Sequence, residues 1–74
     1  MKKDKHLVKL GNIIRDFRKL KNLSQEQLAL KAGVDRSYIG GIERGERNVT
    51  ILTLIKIANC LDCDISELIK GISE

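Results

Sequence analysis

The stretch SQEQLALKAGVDRSYIGGIER, residues 24–44 of this 74-residue chain, decides the fold. Ser24 is followed three residues later by Gln27, and this spacing is a capping box that predicts the start of a helix. Gly33 then ends that helix, since glycine accepts the left-handed backbone conformation found at helix ends. Asp35 is a good N-cap for a further helix that runs to the end of the stretch. The pattern predicts two helices joined by a tight turn.

Small and branched apolar residues determine how these two helices would pack. Ala29 lies where the helices cross, so a small side chain is needed there, and Ile39 and Ile42 point back to lock the following helix against the preceding one. This register is that of the helix-turn-helix that binds DNA. A helical hairpin with no nucleic-acid role would show the same packing residues, so the exposed side chains must decide between the two.

Upstream of this stretch, apolar residues recur at three- and four-residue spacing over residues 7–20. This period predicts an amphipathic helix that ends near Lys21 or Asn22. The Lys-rich residues 1–6 are expected to form a flexible basic arm. His6 lies in this arm, and we expect it to be solvated.

Downstream, two more helices are predicted. Thr50 is a good cap for a fourth helix, whose inner-face residues at helical period are expected to be Ile51, Leu54, Ile55, Ala58 and Leu61. Asp64 and Glu67 form a second capping pair, which starts a helix over residues 65–72. The fold class is therefore all-α, with five short helices in one compact domain that spans the chain.

The charge of the chain is basic and unevenly distributed. Fourteen Lys and Arg against ten Asp and Glu give a net charge of +4. The net charge is +6 over residues 1–22, zero over 23–48 and −2 over 49–74. This balance favours a polyanionic partner. No window of 18 apolar residues and no secretory signal is present, so we expect a cytoplasmic, nucleoid-associated protein without a membrane partner.

The helix predicted after Asp35, over residues 36–44, would be the recognition helix of such a motif. The exposed positions at its start are the candidates for reading bases, because that end of the helix enters the major groove. Arg36 can place its guanidinium on O6 and N7 of guanine, and Ser37 can bond near the same base step. Tyr38 lies off the core pattern, so its hydroxyl is expected to face the DNA backbone or a thymine. Gly40 and Gly41 each cost about 1 kcal/mol relative to alanine in a helix, which suggests clearance for close approach to the groove.

Polar residues beside the recognition helix are predicted to bind phosphates. Gln25 lies in the first turn of the preceding helix, where its amide and free backbone N–H groups can meet a phosphate oxygen. A polar cluster follows the recognition helix on the side where a DNA strand would pass, with an ordinary solvated loop as the alternative. Its members are Arg44, Arg47, Asn48 and Thr50.

Glu43 is an acid on the helix that would face DNA, where it would repel phosphate unless neutralised. Arg18, on the first helix, is its best candidate partner. We therefore predict a structural ion pair between Arg18 and Glu43 that fixes the recognition helix to the first helix.

The sequence offers no residue set for catalysis. It contains no credible triad, carboxylate pair or Gly-rich phosphate loop. Cys60 and Cys63 form a lone CxxC, and with the distant His6 they are too few ligands for a tetrahedral zinc site in one chain. Reduced thiols at a helix end are the expectation, with redox chemistry or metal bridging between two chains as alternatives. We expect no enzyme activity, no metal and no cofactor.

The segment SQEQLALKAGV, residues 24–34, resembles the lambda-repressor-like, xenobiotic-response-element class of helix-turn-helix regulators. The following DRSYIGGIERGERNVT, residues 35–50, is similar to the controller proteins of restriction-modification systems. In that family small homodimers bind operators upstream of the controller and endonuclease genes, activating and then repressing them. The resemblance implies the same operator and phosphate contacts at the residues named above, and dimerisation through the last two helices. Phage-type repressors, antitoxin-like regulators and a protein-interaction module on this scaffold are the alternatives.

The number of base pairs that a single helix can read also favours a dimer. One recognition helix reads a few base pairs, whereas two helices related by a twofold axis read a palindrome with half-sites about 34 Å apart. The expected partners are thus a double-stranded DNA operator and a second copy of the chain, with RNA polymerase as a further candidate. Apolar residues beyond the needs of the inner faces are candidates for the dimer interface, with ordinary core packing as the alternative: Leu52, Ile57, Ile65 and Ile69.

Overall fold

The computed structural model describes residues 3–72, and within that range the chain forms α-helices and no strand. The helices are α1 Lys5–Leu20, α2 Gln25–Ala32, α3 Arg36–Glu43, α4 Ile51–Cys60 and α5 Ile65–Ile69. The predicted all-α, five-helix class is confirmed, although α5 is shorter than expected. No helix among the described residues is long and apolar enough to cross a membrane.

Side-chain caps start most of these helices. The capping box of Ser24 and Gln27 is present: the Gln27 backbone N–H donates to Ser24 Oγ, and the Ser24 N–H donates to Gln27 Oε1. Asp64 with Glu67 forms the second capping box, and Thr50 Oγ1 accepts the backbone N–H of Thr53. Each bond satisfies a backbone donor that has no partner within its helix.

The start of α1 differs from the sequence expectation. Asp4 is its N-cap and accepts the backbone N–H of His6 at 2.7 Å, so Lys5 and His6 belong to the helix. The prediction of a flexible arm over residues 1–6 is therefore wrong for these two residues, because it did not anticipate the cap. Met1 and Lys2 lie outside the described residues.

Four helix ends share one closing geometry. Gly33 and Gly45 adopt left-handed backbone conformations, with φ of 71° and 74°, after α2 and α3. Asn22 and Asp62 do the same after α1 and α4, with φ of 58° and 53°. In each case the next residue's N–H donates to the carbonyl five positions back, as from Leu23 to Arg18 at 3.1 Å. These bonds use carbonyls that the helix leaves without partners.

The hydrophobic core lies where α3 meets α1 and α2, and it continues through α4 to α5. Ala29 is buried at the crossing of α2 and α3, as the sequence predicted. The completely or almost completely buried apolar side chains come from all five helices: Ile14, Leu28, Ile39, Ile42, Ile57, Leu61 and Leu68. Apolar contacts with both α1 and α2 therefore hold α3 in place.

Gly11 allows α1 to approach the end of α3 at backbone distance. A Cβ at this position would collide with the carbonyl oxygen of Ile42 and would lie 2.6 Å from that of Glu43. Gly45 is similarly crowded, because a Cβ there would lie 2.7 Å from Val8 Cγ2. Both glycines thus set how closely α1 packs on the segment that contains the functional residues.

Candidate nucleic-acid interface

The first turn of α3 is free on its outer side. Arg36 and Ser37 are exposed there, while Ile39 and Ile42 on the opposite side are buried in the core. The structure therefore presents the two predicted base-reading residues on one accessible helix end. Tyr38 is half-buried and packs against the edge of the core.

Gly40 and Gly41 do not lie open to solvent, in contrast to the sequence interpretation. Both are buried, because side chains from the end of α3 and the following loop cover them. A Cβ at Gly40 would lie 3.0 Å from Arg44 Nη1, and a Cβ at Gly41 would lie 2.9 Å from Arg47 Cγ. The space that the glycines leave is occupied by the chain's own arginines.

Arg47 lies against the outer face of α3. Its Cζ is 5.6 Å from the centroid of the Tyr38 ring, which is within the range of a cation–π contact. The sequence did not predict this contact, because the two residues are nine positions apart and the loop between them has no regular period. The contact brings a predicted phosphate-binding residue next to a predicted base-reading residue.

Glu46 balances part of the positive charge in the same loop. Arg44 Nε donates to Glu46 Oε1 at 3.1 Å, and Lys3 Nζ lies 3.6 Å from Glu46 Oε2. The hydrogen bond from Arg44 is the main cause that lowers the pKa of Glu46; burial acts in the opposite direction, and the Arg44 and Lys3 charges lower the pKa further. The Lys-rich start of the chain is thereby joined to the loop after the recognition helix.

Gln25 is half-buried, and its amide contacts the recognition helix directly. Its Nε2 donates to Glu43 Oε1 at 3.0 Å. An amide nitrogen carries two N–H groups, so one donor is used by Glu43 and the other is available for a phosphate oxygen. The predicted phosphate-binding residue is thus already oriented by a carboxylate, which the sequence analysis did not foresee.

The predicted ion pair between Arg18 and Glu43 is present and buried. Arg18 Nε donates to Glu43 Oε2 at 2.6 Å, and Arg18 Nη2 donates to Glu43 Oε1 at 3.0 Å. This two-bond geometry is the strong form of an arginine–carboxylate contact. Arg18 Nη1 also donates to the carbonyl of Leu23 at 2.8 Å, so one guanidinium ties the start of α2 to the end of α3.

Arg15 is a second partner of Glu43 that the sequence analysis missed. Its Nη2 donates to the Glu43 carbonyl at 2.9 Å, and its Nε lies 3.6 Å from Glu43 Oε1. The residue lies three positions before Arg18 on one helix face, and this spacing was the available signal.

The ionisation of Glu43 follows from these contacts. Burial raises the pKa of this carboxyl, but the hydrogen bonds from Arg18 and Gln25 and the charges of Arg18 and Arg15 outweigh burial. The net result is a pKa below the ordinary value of 4.5. Glu43 is therefore ionised and neutralised by its own chain, so it does not present free negative charge to DNA.

The remaining predicted phosphate-binding residues lie in or just after this loop. Asn48 and Thr50 are both exposed. The Thr50 hydroxyl caps α4 and also donates to Thr53 Oγ1 at 3.0 Å. All four predicted phosphate-binding residues of this segment, Arg44, Arg47, Asn48 and Thr50, are therefore exposed, although Thr50 already has a structural role at the start of α4.

The predicted dimer-interface residues divide into two groups. The prediction that Ile57 lies at the dimer interface is wrong, because Ile57 is 0% exposed and belongs to the core. Leu52 is 69% exposed, Ile69 is exposed and Ile65 is half-buried. Ile51 and Ile55 of α4 are also exposed, although their helical period predicted that they face the core. The exposed large apolar side chains of α4 and α5 are Ile51, Leu52, Ile55 and Ile69.

Cys60 and Cys63 are free thiols in and after the last turn of α4. Burial is the main cause that raises the pKa of both thiols above the ordinary value. This favours the protonated form, which is the less reactive one. Among residues 3–72, no group of three or more His, Cys, Asp or Glu side chains could hold a metal ion.

Comparison with known proteins identifies the family. The helix-turn-helix family HTH_3 matches residues 14–68. Control protein C.SmaI of Serratia marcescens is 48% identical over 60 residues, covering 81% of this chain and 71% of the relative. The restriction-modification controller protein C.AhdI from Aeromonas hydrophila has a crystal structure with a TM-score of 0.83 at 52% identity, covering 84% of this chain and 94% of that one.

A DNA complex is also among the similar structures. The master regulator for biofilm formation SinR, solved in complex with DNA, has a TM-score of 0.77 at 40% identity and covers 80% of this chain and 95% of that one. The family match spans α2 and α3 completely, and it continues through α4 into α5. The chain therefore belongs to the HTH_3 family of helix-turn-helix transcriptional regulators.

Proposed function

We propose that this chain is a sequence-specific double-stranded DNA-binding regulator that acts as the controller of a restriction-modification system. The observation that carries the proposal is the free first turn of α3, with Arg36 and Ser37 exposed on a helix that α1 and α2 hold from behind. The similarity to C.SmaI and C.AhdI over most of both chains supports the controller role. SinR, solved with DNA, supports DNA as the ligand of the scaffold.

Base reading is assigned to the start of α3. Arg36 has the geometry to donate two hydrogen bonds to guanine, and Ser37 bonds at the same step. Tyr38 contributes its hydroxyl from the edge of the core. These three residues determine which operator is bound.

Backbone binding is assigned to the sides of α3. Gln25 donates its second amide N–H to a phosphate on one side, and the loop after α3 contacts the strand on the other. The loop residues are Arg44, Arg47, Asn48 and Thr50. Phosphate contacts position the helix and contribute to affinity for any sequence.

The operator-binding form is a homodimer. The exposed apolar residues of α4 and α5 support this proposal, because Ile51, Leu52, Ile55 and Ile69 are the candidates to leave water in an isologous contact. Two copies of α3 about 34 Å apart would read a palindrome. RNA polymerase is the further partner that transcriptional activation would require. The chain acts without a cofactor or catalysis, in the cytoplasm.

The experiment that tests the proposal is selection from random-sequence duplexes followed by binding at several salt concentrations. Enrichment of a palindrome supports it, together with a log–log salt slope of about −0.9 for each phosphate contacted. No enriched sequence and no salt dependence would contradict it, and would favour a protein-interaction module. The genes beside the coding sequence give a second test, because an adjacent endonuclease and methyltransferase distinguish a controller from a phage-type repressor.

A further inference from the structure

Gly41 lies beneath the side chain of Arg47, and the two fit together because glycine has no Cβ. A Cβ at position 41 would lie 2.9 Å from Arg47 Cγ, 3.3 Å from its Nε and 3.6 Å from its Cδ. Cγ is two bonds from Cα, so the collision is relieved by a change of the first side-chain torsion of Arg47 and not by a movement of its far end. Adding one methyl group at position 41 would therefore move the whole arginine.

The same arginine reaches Tyr38. Its guanidinium carbon is 5.6 Å from the centroid of the Tyr38 ring. Tyr38 and Gly41 are three residues apart in α3 and so lie on one helix face. The Arg47 side chain thus runs along α3 from the glycine to the aromatic ring, and the charged end lies on the outer face of the recognition helix.

We propose that Gly41 is a positioning residue for DNA binding, because the groove it leaves in α3 holds the Arg47 guanidinium over Tyr38. The inference rests on the proposed function. Helix stability does not account for glycine at this position, since alanine is the better helix former. Replacing Gly41 should thus favour the fold and weaken DNA binding, two effects of opposite sign.

Gly40 provides a matched control in the same helix. A Cβ at position 40 would lie 3.0 Å from Arg44 Nη1 and 3.6 Å from Gln25 Oε1. Both atoms are at the ends of flexible side chains, which can move by small rotations. Alanine at position 40 gains the same helix propensity as alanine at position 41, but it does not displace the base of an arginine side chain.

The test compares wild type, Gly40→Ala, Gly41→Ala, Arg47→Ala and the double variant of Gly41→Ala with Arg47→Ala. Binding to a mixed-sequence DNA duplex is measured over a range of salt concentrations, beside thermal unfolding of each protein. Gly41→Ala is expected to keep or raise the thermal midpoint of unfolding. The log–log slope of its DNA affinity against salt should become less steep by about 0.9 per lost phosphate contact, as for Arg47→Ala. Gly40→Ala is expected to change the slope less than Gly41→Ala does, because only the ends of the Arg44 and Gln25 side chains have to move. The double variant binds no more weakly than Arg47→Ala.

Several results would overturn the inference. A wild-type salt slope in Gly41→Ala would mean that Arg47 does not depend on Gly41, while the proposed function would stand. Equal loss in Gly40→Ala would mean that the effect is not specific to Gly41 and Arg47, and a much lower thermal midpoint in Gly41→Ala would indicate a structural role. A further loss in the double variant would mean that the methyl group obstructs DNA directly. Failure of wild type to bind any duplex would remove the proposed function itself.

Discussion

Arg18 and Glu43, 25 positions apart, form a buried ion pair in which Arg18 Nε donates to Glu43 Oε2 at 2.6 Å. The Arg18 side chain is 11% exposed and that of Glu43 is not exposed. A buried pair need not stabilise more than apolar residues would, but removing one partner leaves an uncompensated buried charge. The pair therefore makes the position of α3 sensitive to a residue on α1 that does not contact DNA in the proposed function.

Arg18→Ala is expected to lower the free energy of unfolding by about 3 kcal/mol, because Glu43 would lose its two-bond partner. Urea unfolding and thermal melting measure the effect. Lys19→Ala is the matched control. Lys19 is the next residue of α1 and is exposed, so its replacement should change the free energy of unfolding little. An unchanged midpoint in Arg18→Ala would show that the pair does not hold the fold.

The stability of the protein is expected to fall in acid because of Glu43. Its pKa is lowered in the folded protein: burial raises it, but the contacts with Arg18, Gln25 and Arg15 outweigh burial. The folded state thus binds this proton less readily than the unfolded chain. The contribution is complete above the ordinary pKa of 4.5 and is lost as the pH falls through the lower, folded value.

Unfolding measured from neutral pH to about pH 2 checks this dependence on the Glu43 pKa. Glu46→Gln is the control, because it removes an exposed carboxyl whose pKa is also lowered. That variant should keep most of the acid-dependent loss. A pH-independent stability in wild type would contradict the assigned ionisation of Glu43.

Arg36→Ala and Arg47→Ala are expected to have different effects on DNA binding: the first on sequence preference, the second on affinity for any sequence. Loss of Arg36 removes a base contact, so preference at one symmetric operator position should relax at a cost of about 1 to 3 kcal/mol. Loss of Arg47 should weaken specific and non-specific DNA alike and reduce the salt slope. Titration of the selected operator, its single-base variants and a mixed-sequence duplex separates the two. Equal effects of both substitutions on every sequence would remove the base-reading role of Arg36.

Leu52→Glu is expected to produce monomers, because it places a charge in the proposed apolar contact between copies. Leu52 lies on α4 and is 69% exposed. Leu30→Glu is the matched control: Leu30 is 78% exposed but lies on α2, outside the α4 and α5 surface. Sedimentation or light scattering measures the mass. Dissociation by Leu30→Glu but not by Leu52→Glu would move the interface away from α4.

Gly11→Ala is expected to destabilise the fold, since its methyl group would meet the carbonyl oxygens at the end of α3. These are backbone atoms, so they yield only if α1 moves away from α3. Gly71→Ala is the control, because a Cβ there meets nothing within 4 Å. A lower thermal midpoint for Gly11→Ala than for Gly71→Ala confirms the close approach, and equal midpoints would contradict it.

Local signals in the sequence predicted much of the fold. Capping boxes at Ser24 and Asp64 involve residues three apart, and the left-handed glycines at positions 33 and 45 act within one turn. Such features depend on near neighbours, so a sequence displays them directly. The Arg18–Glu43 pair was also predictable, because an acid on the DNA-facing helix needs a cation.

The inner face of α4 could not be assigned by periodicity. Five apolar residues lie within seven positions of α4, and they cover more than half of the directions around the helix: Ile51, Leu52, Leu54, Ile55 and Ile57. Several rotations about the helix axis then satisfy the pattern equally well. The structure buries Ile57 and exposes Ile55, which reverses the sequence assignment of these two residues.

The roles of Gly11, Gly40 and Gly41 could not be predicted either, because each depends on which distant group passes over it. Gly11 meets carbonyl groups more than thirty positions away, and Gly41 meets a side chain of the following loop. A glycine in a helix signals a close approach but not the approaching partner. The position of Arg47 over Tyr38 therefore required the three-dimensional structure.

The backbone contact at Gly11 also limits how the motif can be engineered. A graft of residues 24–44 onto another helical bundle would carry Arg36 and Ser37 but would omit both Gly11 and Arg18, whose guanidinium donates to the Leu23 carbonyl. The transplanted helices would then lack the support that sets their mutual angle. Because the same core continues through α4 to α5, designs that transfer Arg36 and Ser37 should exchange the whole helical domain as one block.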